Sequence, residues 1–284
     1  SVPVFTRVTA WIERLAPGDR AIFVGLGVLL AGASLLSAYT LESHLLVRIP
    51  SYGGSLKEGE VGSPRFVNPL LAISDSDRDL AMLTYAGLMG VSSTGALTPV
   101  LAQAYTVSPD GRVYTFTLRD NAVFSDGTKV TANDVVFTVQ KAQDPTIKSP
   151  QYADWSGIQV AAVDERTVQF TLPKPYAPFL ELTTLGILPA HLWQSISDEQ
   201  FPFSDLDTNP VGAGPFVLTG SAHDSSGLIT SVTLSANKKY ALGRPYLDSI
   251  TFTFYQRAEG LARAVATGSF ESAYGVPSAS SISD

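Results

Sequence analysis

The hydrophobic pattern of the chain changes character sharply near its start. From residue 21 to 41 no charged residue occurs, and the run AIFVGLGVLLAGASLLSAYTL has no polar face. At ~1.5 Å rise per residue such a run crosses a hydrocarbon layer of ~30 Å, so the pattern predicts one transmembrane helix. Two other readings stay open: a buried core helix, and a cleaved signal peptide with Ala31-Gly32-Ala33 as its small-residue cleavage pattern. Arg7, Arg14 and Arg20 precede the run, which puts the N-terminus in the cytoplasm and the bulk of the chain outside.

Beyond the run, helical and strand periods alternate. Residues 113–118 place Tyr114, Phe116 and Leu118 on one face and Val113, Thr115 and Thr117 on the other, a strand between the turns Pro109-Asp110-Gly111 and Asp126-Gly127. Thr131 stands three residues before Asp134, a capping-box-like start for a helix that buries Val135, Val136, Val139 and Ala142. A second helix is expected over 75–87, with Leu80, Leu83 and Met82 inward and acidic residues at its start. A hairpin follows at 157–163 and 167–172, then short helices at 178–185 and 189–196. Strands are expected at 216–219, 229–235, 249–255 and 272–276, with an amphipathic helix over 257–267 that turns Leu261, Ala264 and Val265 inward. The fold class is therefore mixed α/β.

Composition narrows the function. The 284 residues carry a formal charge of −7 with no basic cluster, so no nucleic-acid partner is expected. There is no cysteine, which excludes disulfides, thiolate metal sites, a cysteine nucleophile and lipid attachment to cysteine. The three histidines, His44, His191 and His223, lie too far apart in sequence to suggest a metal pair. Gly212-Ala213-Gly214 resembles the start of a dinucleotide fingerprint but leads into a strand, so the helix N-terminus that would hold a pyrophosphate is missing. Ser235-Ala236-Asn237-Lys238 fits S-x-x-K, yet neither S-D-N nor K-T-G occurs, and no nucleophile elbow is present. With no carboxylate pair either, the expectation is a binding protein without catalytic residues, cofactor or metal, rather than an enzyme.

The segments GSPRFVNPLLAISDSDRDLAMLTYAGLM, LTPVLAQAYTVSPDGRVYTFTLRDNAVFSDGTKVTANDVVFTV, NPVGAGPF and AYGVP follow one another in this order. Together they resemble the extracytoplasmic solute-binding proteins of ABC importers in the peptide, nickel and opine class, over roughly residues 53–277. The resemblance implies a periplasmic-binding-protein-like fold of two lobes that close on a ligand, with a β-rich subdomain inserted in the first lobe. On that template the chain divides into an N-terminal flank (1–20), the transmembrane helix (21–41), a linker (42–58), the first part of lobe one (59–90), the insert (91–184) and the second part of lobe one (185–284). It ends near the crossover to the other lobe, most of which is expected to lie outside this sequence.

The resemblance further implies a ligand held by loops at strand ends. By position on the family pattern the expected ligand-binding residues are Arg65, Phe66 and Asn68 in the first loop and Tyr274, Gly275 and Val276 in the last. A plain turn is an equal reading for Asn68, and core packing for Tyr274. The planar guanidinium of Arg65 suits a carboxylate, and backbone groups in these Gly- and Pro-bearing loops could hydrogen-bond a peptide main chain. The expected partners are a peptide or similar small solute, ABC permease subunits and the cell membrane. A sensor or scaffold that kept the fold without transport, and an envelope hydrolase, are the other function classes open at this point.

Overall fold

The computed structural model describes residues 16–45 and 51–274. The chain forms two compact units, Ser1–Ser51 and Tyr52–Asp284. The first consists, among the described residues, of helix α1 (Pro17–Leu45). Its stretch Pro17–Ser37 has a mean hydropathy of 1.8 and is long and apolar enough to cross a membrane. Ile22, Leu29, Leu30 and Leu35 are all exposed.

In the second unit the elements run β1 (Ser55–Val61), α2 (Asp75–Thr84), β2 (Met89–Val91), β3 (Leu97–Pro99), β4 (Ala102–Val107), β5 (Val113–Leu118), α3 (Ala132–Ala142), α4 (Tyr152–Trp155), β6 (Gln159–Ala162) and β7 (Thr167–Thr171). They continue with α5 (Phe179–Leu182), α6 (Ala190–Trp193), β8 (Phe216–His223), β9 (Ile229–Ala236), β10 (Ser249–Tyr255), α7 (Ala258–Ala266) and β11 (Ser272–Tyr274). One sheet has the order β11-β1-β10-β9-β8, in which β1 runs parallel to both β10 and β11, while β9 is antiparallel to β10 and β8 to β9. A second sheet, β4-β5-β7-β6, is antiparallel throughout, and β2 and β3 pair separately.

The five-stranded sheet is covered on both faces. On one, Ile250, Phe252 and Phe254 of β10 alternate inward to meet Val232, Leu234, Phe216 and Leu80 of α2. On the other, Leu261 of α7 and Phe270 lie so close to Gly59 that a Cβ there would sit 2.5 Å from Leu261 Cδ1. Glycine in mid-strand is thus a packing requirement of β1. The antiparallel sheet buries Tyr114, Phe116 and Leu118, the alternation expected from sequence, against Phe170, Trp155 and Phe179.

The helices depart from sequence expectation mainly at their ends and faces. Helix α2 stops at Thr84, three residues short of the expected end, because Tyr85 is extended. Met82 is 70 % exposed and Leu80, Ala81 and Thr84 are the buried positions, so the inward face is turned away from Met82. In α7 only Leu261 is buried, and Val265 faces out. The two helices expected at 178–185 and 189–196 are single turns. Strands β2, β3 and β4 lack the strong alternation that marks β5.

Candidate functional site

The loop from Gly62 to Pro69 leaves the C-terminal end of β1, and its course is fixed by groups that reach it from other elements. Asp77, in the first turn of α2, accepts backbone hydrogen bonds from Arg65 N at 2.7 Å and Phe66 N at 3.1 Å through Oδ1, and from Ser74 N at 3.1 Å through Oδ2. Ser74 Oγ accepts from Asp77 N at 3.1 Å, which completes a capping box. Val67 N donates to the Asp207 carbonyl at 2.6 Å, Gly62 N to the Tyr255 carbonyl at 2.9 Å, and Ser63 Oγ to the Ile229 carbonyl at 2.8 Å. The loop is therefore pinned to α2, to β10, to the start of β9 and to the 205–207 turn.

These bonds sort the residues expected to bind. Arg65 is exposed, and its guanidinium lies 5.3 Å from the centre of the Phe66 ring. Asn68 is wholly buried: Nδ2 donates to Asp207 Oδ1 at 2.8 Å and Oδ1 accepts from Leu70 N at 2.9 Å. Its side chain is committed to shaping the loop, which is the turn reading. The expectation that this loop offers its backbone amides to a ligand is corrected for Arg65, Phe66 and Val67, whose N–H groups are already taken. Tyr274 ends β11 with its side chain 56 % exposed, so it is not a core residue. Gly275 and Val276 lie outside the described residues.

Beside Arg65 and Phe66 opens a cavity of about 450 Å³, walled further by Phe203, Thr208, His223 and Leu228. Phe203 is 85 % exposed and Leu228 44 %. His223 and Leu228 flank the turn between β8 and β9, and because β9 runs antiparallel to β10, that turn lies at the same sheet edge as the C-terminal ends of β1 and β10. At this edge Val61 is in register with Tyr255, and Glu60 with Tyr274. A second depression of about 410 Å³, lined by Tyr255, Gln256, Arg257 and Arg263, follows the end of β10. The arrangement is that of an open α/β sheet whose strand ends present loops to a ligand. A guanidinium, an imidazole and a hydroxyl stand among phenyl and leucine surface, a lining suited to a carboxylate-bearing ligand with apolar groups.

Two buried acids lie just beneath. Burial lifts the Glu60 carboxyl to about 7, against the pull of the Ser76 hydroxyl, which donates to Oε1 at 2.7 Å; Asp79 and Glu58 push in the same direction as burial. Burial likewise lifts Asp207 to about 6, opposed by the hydrogen bond from Asn68. Asp207 Oδ2 and the Tyr85 hydroxyl are both buried without a hydrogen-bond partner, and burial together with the Asp207 charge holds the Tyr85 phenol well above its ordinary value. Gly212 and Gly214 are explained here as well: a Cβ on Gly212 would fall 2.1 Å from the Thr84 carbonyl oxygen, and one on Gly214 2.6 Å from that of Leu83. They let the 209–216 segment lie against the end of α2. Phe203, Thr208 and Leu228 were not singled out from sequence, and His223 was weighed there only as a metal ligand; a Phe-Pro-Phe tripeptide and a turn at Asp224–Gly227 are common surface patterns, with nothing local to mark them.

Comparison with known proteins places this geometry. Residues 96–283, well over half the chain, match the family described as bacterial extracellular solute-binding proteins, family 5 Middle. The chain is 35 % identical over 173 residues to the probable D,D-dipeptide-binding periplasmic protein DdpA of Escherichia coli, a match that covers 56 % of this chain and 32 % of that protein. It is similar in structure to the oligopeptide-binding protein AppA of Bacillus subtilis, solved in complex with a nonapeptide (TM-score 0.71, 25 % identity, 78 % of this chain and 44 % of that one). It is also similar to NikZ of Campylobacter jejuni in complex with Ni(L-His) (TM-score 0.68, 26 % identity, 77 % and 43 %). The chain thus spans between about a third and under half the length of these relatives. Among the described residues no group of three or more His, Cys, Asp or Glu side chains could hold a metal ion. The fold is that of a periplasmic binding protein, and the chain belongs to the bacterial extracellular solute-binding proteins of family 5.

Proposed function

We propose that this chain is the ligand-facing part of a membrane-tethered binder that captures peptides or similar small solutes for an ABC importer. The observation that carries the reading is the cavity at the C-terminal edge of the five-stranded sheet, where Arg65 and Phe66 from the β1 loop meet His223 and Leu228 from the β8–β9 turn. Arg65 contributes a carboxylate partner, Phe66 and Phe203 contribute apolar surface, and Tyr274 supplies the far rim, while Gly275 and Val276 stay ligand-binding residues by their position in the sequence alone. Asn68 acts indirectly, by holding the loop. Residues 59–90 and 185–284 form one lobe, with 91–184 as an inserted supporting subdomain, and α1 keeps the binder near its permease at high effective concentration.

The test is native mass spectrometry and calorimetry of the full-length protein with a pool of short peptides and, separately, with nickel–histidine. A retained peptide, and a loss of affinity of about tenfold for Arg65→Ala, on the order of losing one charged hydrogen bond, is the expected result. Binding of neither probe, with folding intact, overturns the reading; retention of nickel–histidine alone reassigns the solute class.

A further inference from the structure

Beneath the β1 loop a chain of buried hydrogen bonds ties together three segments that are far apart in sequence. Ser149, in the connection between α3 and α4, donates through Oγ to the Leu70 carbonyl at 2.7 Å. Leu70 N donates in turn to Asn68 Oδ1 at 2.9 Å, and Asn68 Nδ2 to Asp207 Oδ1 at 2.8 Å. All four residues are buried, so each bond is costly to leave unmade. The end bonds span 79 and 139 residues of sequence. From Asp207 the chain returns to the loop, because Val67 N donates to the Asp207 carbonyl at 2.6 Å.

The other end is held under strain. Lys148 has a φ of 57° and is, among the described residues, the one non-glycine with a positive φ. A lysine keeps that left-handed conformation only where its surroundings over-determine it. They do so here: Ile147 is buried in the same core as Leu70, and Ser149 Oγ, besides donating to Leu70, accepts from Gln151 N at 3.2 Å.

We propose that Ser149 and Asp207 are positioning residues for the ligand: acting from opposite ends through Leu70 and Asn68, they set where the β1 loop presents Arg65 and Phe66 to the cavity. Residues 91–184 then act on the site through Ser149 although none of them lines the cavity. The ligand part rests on the reading of Arg65 as a carboxylate partner; the coupling of the two ends does not.

The test is amide hydrogen exchange of the ligand-free full-length protein, read residue by residue. Ser149→Ala should speed exchange at Arg65, Phe66 and Val67 about fivefold, on the order of one lost buried hydrogen bond, although Ser149 bonds to none of them. An effect confined to Gln151, whose amide Ser149 holds directly, overturns the proposal. Asp207→Ala should speed the same three amides at least as much, and Asp207→Asn, which keeps an acceptor for Asn68, should exchange like the parent. In Ser149→Ala/Asp207→Ala the loop should open little more than in the faster single variant, since a chain broken at one link loses little at a second. Multiplicative effects mean two independent props and overturn the coupling. If Asp207→Ala does not fold, Ser149→Ala decides alone, by the loop amides against Gln151.

Binding is read separately, with a pool of short peptides as the probe. Ser149→Ala should weaken retention several-fold, in the direction of Arg65→Ala. Weaker binding by Arg65→Ala, with Ser149→Ala changing neither binding nor loop exchange, overturns this inference and leaves the site standing. Arg65→Ala that retains peptides as the parent does overturns the site and with it the ligand role of Ser149 and Asp207.

Discussion

Glu60 is a carboxylate at the C-terminal end of a central parallel strand, 2 % exposed, with Ser76 as its hydrogen-bond donor and, among the described residues, no cation paired with it. Its folded pKa of about 7 stands above its ordinary 4.5, and that of Asp207, about 6, above 3.8. For acids raised on folding, the native state holds its protons more tightly than the unfolded one. Stability is then greatest below the ordinary values, falls as pH rises through the folded ones, and is flat beyond. The fall from pH 4 to pH 8 should be no more than about 6 kcal/mol, since each raised unit corresponds to ~1.4 kcal/mol, and solvent screening makes it smaller. Glu60→Gln keeps an acceptor for Ser76 and has no charge to bury. It should melt several degrees higher than the parent at pH 8 and equally at pH 4, read as thermal unfolding of the full chain in detergent. A variant less stable than the parent at pH 8 would mean that the charge of Glu60 has a partner which the burial argument omits. At this scale the sequence was legible for Arg65, whose exposure follows from its type, and ambiguous for Asn68. The reason is distance along the chain: the partner that buries Asn68 is Asp207, 139 residues away.

At the scale of elements, the best-marked segment in the sequence runs from the Pro109-Asp110-Gly111 turn to the end of α3. Gly111 and Gly127 take the positive φ values, 68° and 96°, that their turns require. Asp134, 5 % exposed, accepts from Thr131 N at 2.8 Å and Thr131 Oγ1 at 2.7 Å through Oδ2, and from Ala190 N at 2.8 Å through Oδ1. Sequence reasoning found the start of α3 and its capping box, which is present between Thr131 and Asp134. It did not reveal that the same carboxylate also joins two helix starts 56 residues apart. Thr131→Ala should therefore cost about 1 kcal/mol, the loss of one local bond. Asp134→Ala should cost about 3 kcal/mol, because it orphans two backbone N–H groups, one of them at α6. Denaturant midpoints of the two variants decide this, and equal costs would show that the bond to Ala190 contributes nothing. Local periodicity of this kind made β5, β10, α3 and the β6–β7 hairpin readable. It missed β2, β3 and β4, whose partners rather than their own side-chain alternation define them, and it placed Met82 and Val265 on the wrong faces because the helix rotation is set by what packs against it.

At the scale of the whole second unit, the two sheets have different tasks. The five-stranded sheet brings the β1 loop, the β8–β9 turn, the end of β10 and Tyr274 to one edge although they are far apart in sequence, which is why only the first and last stood out as candidates before folding. The antiparallel sheet spends its aromatics on its own core, Phe116 against Phe170 at 5.7 Å and Phe170 against Phe179 at 5.3 Å, and contributes none of the residues that wall the cavity beside Arg65. Ligand binding should therefore leave a spatially divided trace in amide hydrogen exchange of the full-length protein. A bound peptide slows local opening only where it adds contacts. Slowing is expected in residues 62–69, 223–229 and 255–257, while β5 and β7, already protected by their own ladder, should exchange unchanged. Within the loop, Arg65, Phe66 and Val67 amides start out bonded to Asp77 and Asp207, so their slowing would report suppression of loop opening and not new bonds to ligand. That predicts the same slowing for Gly62 and Val67, whose amides are bonded to different anchors. Slowing centred on the antiparallel sheet, with the β1 loop unaffected, would move the binding site off this edge altogether.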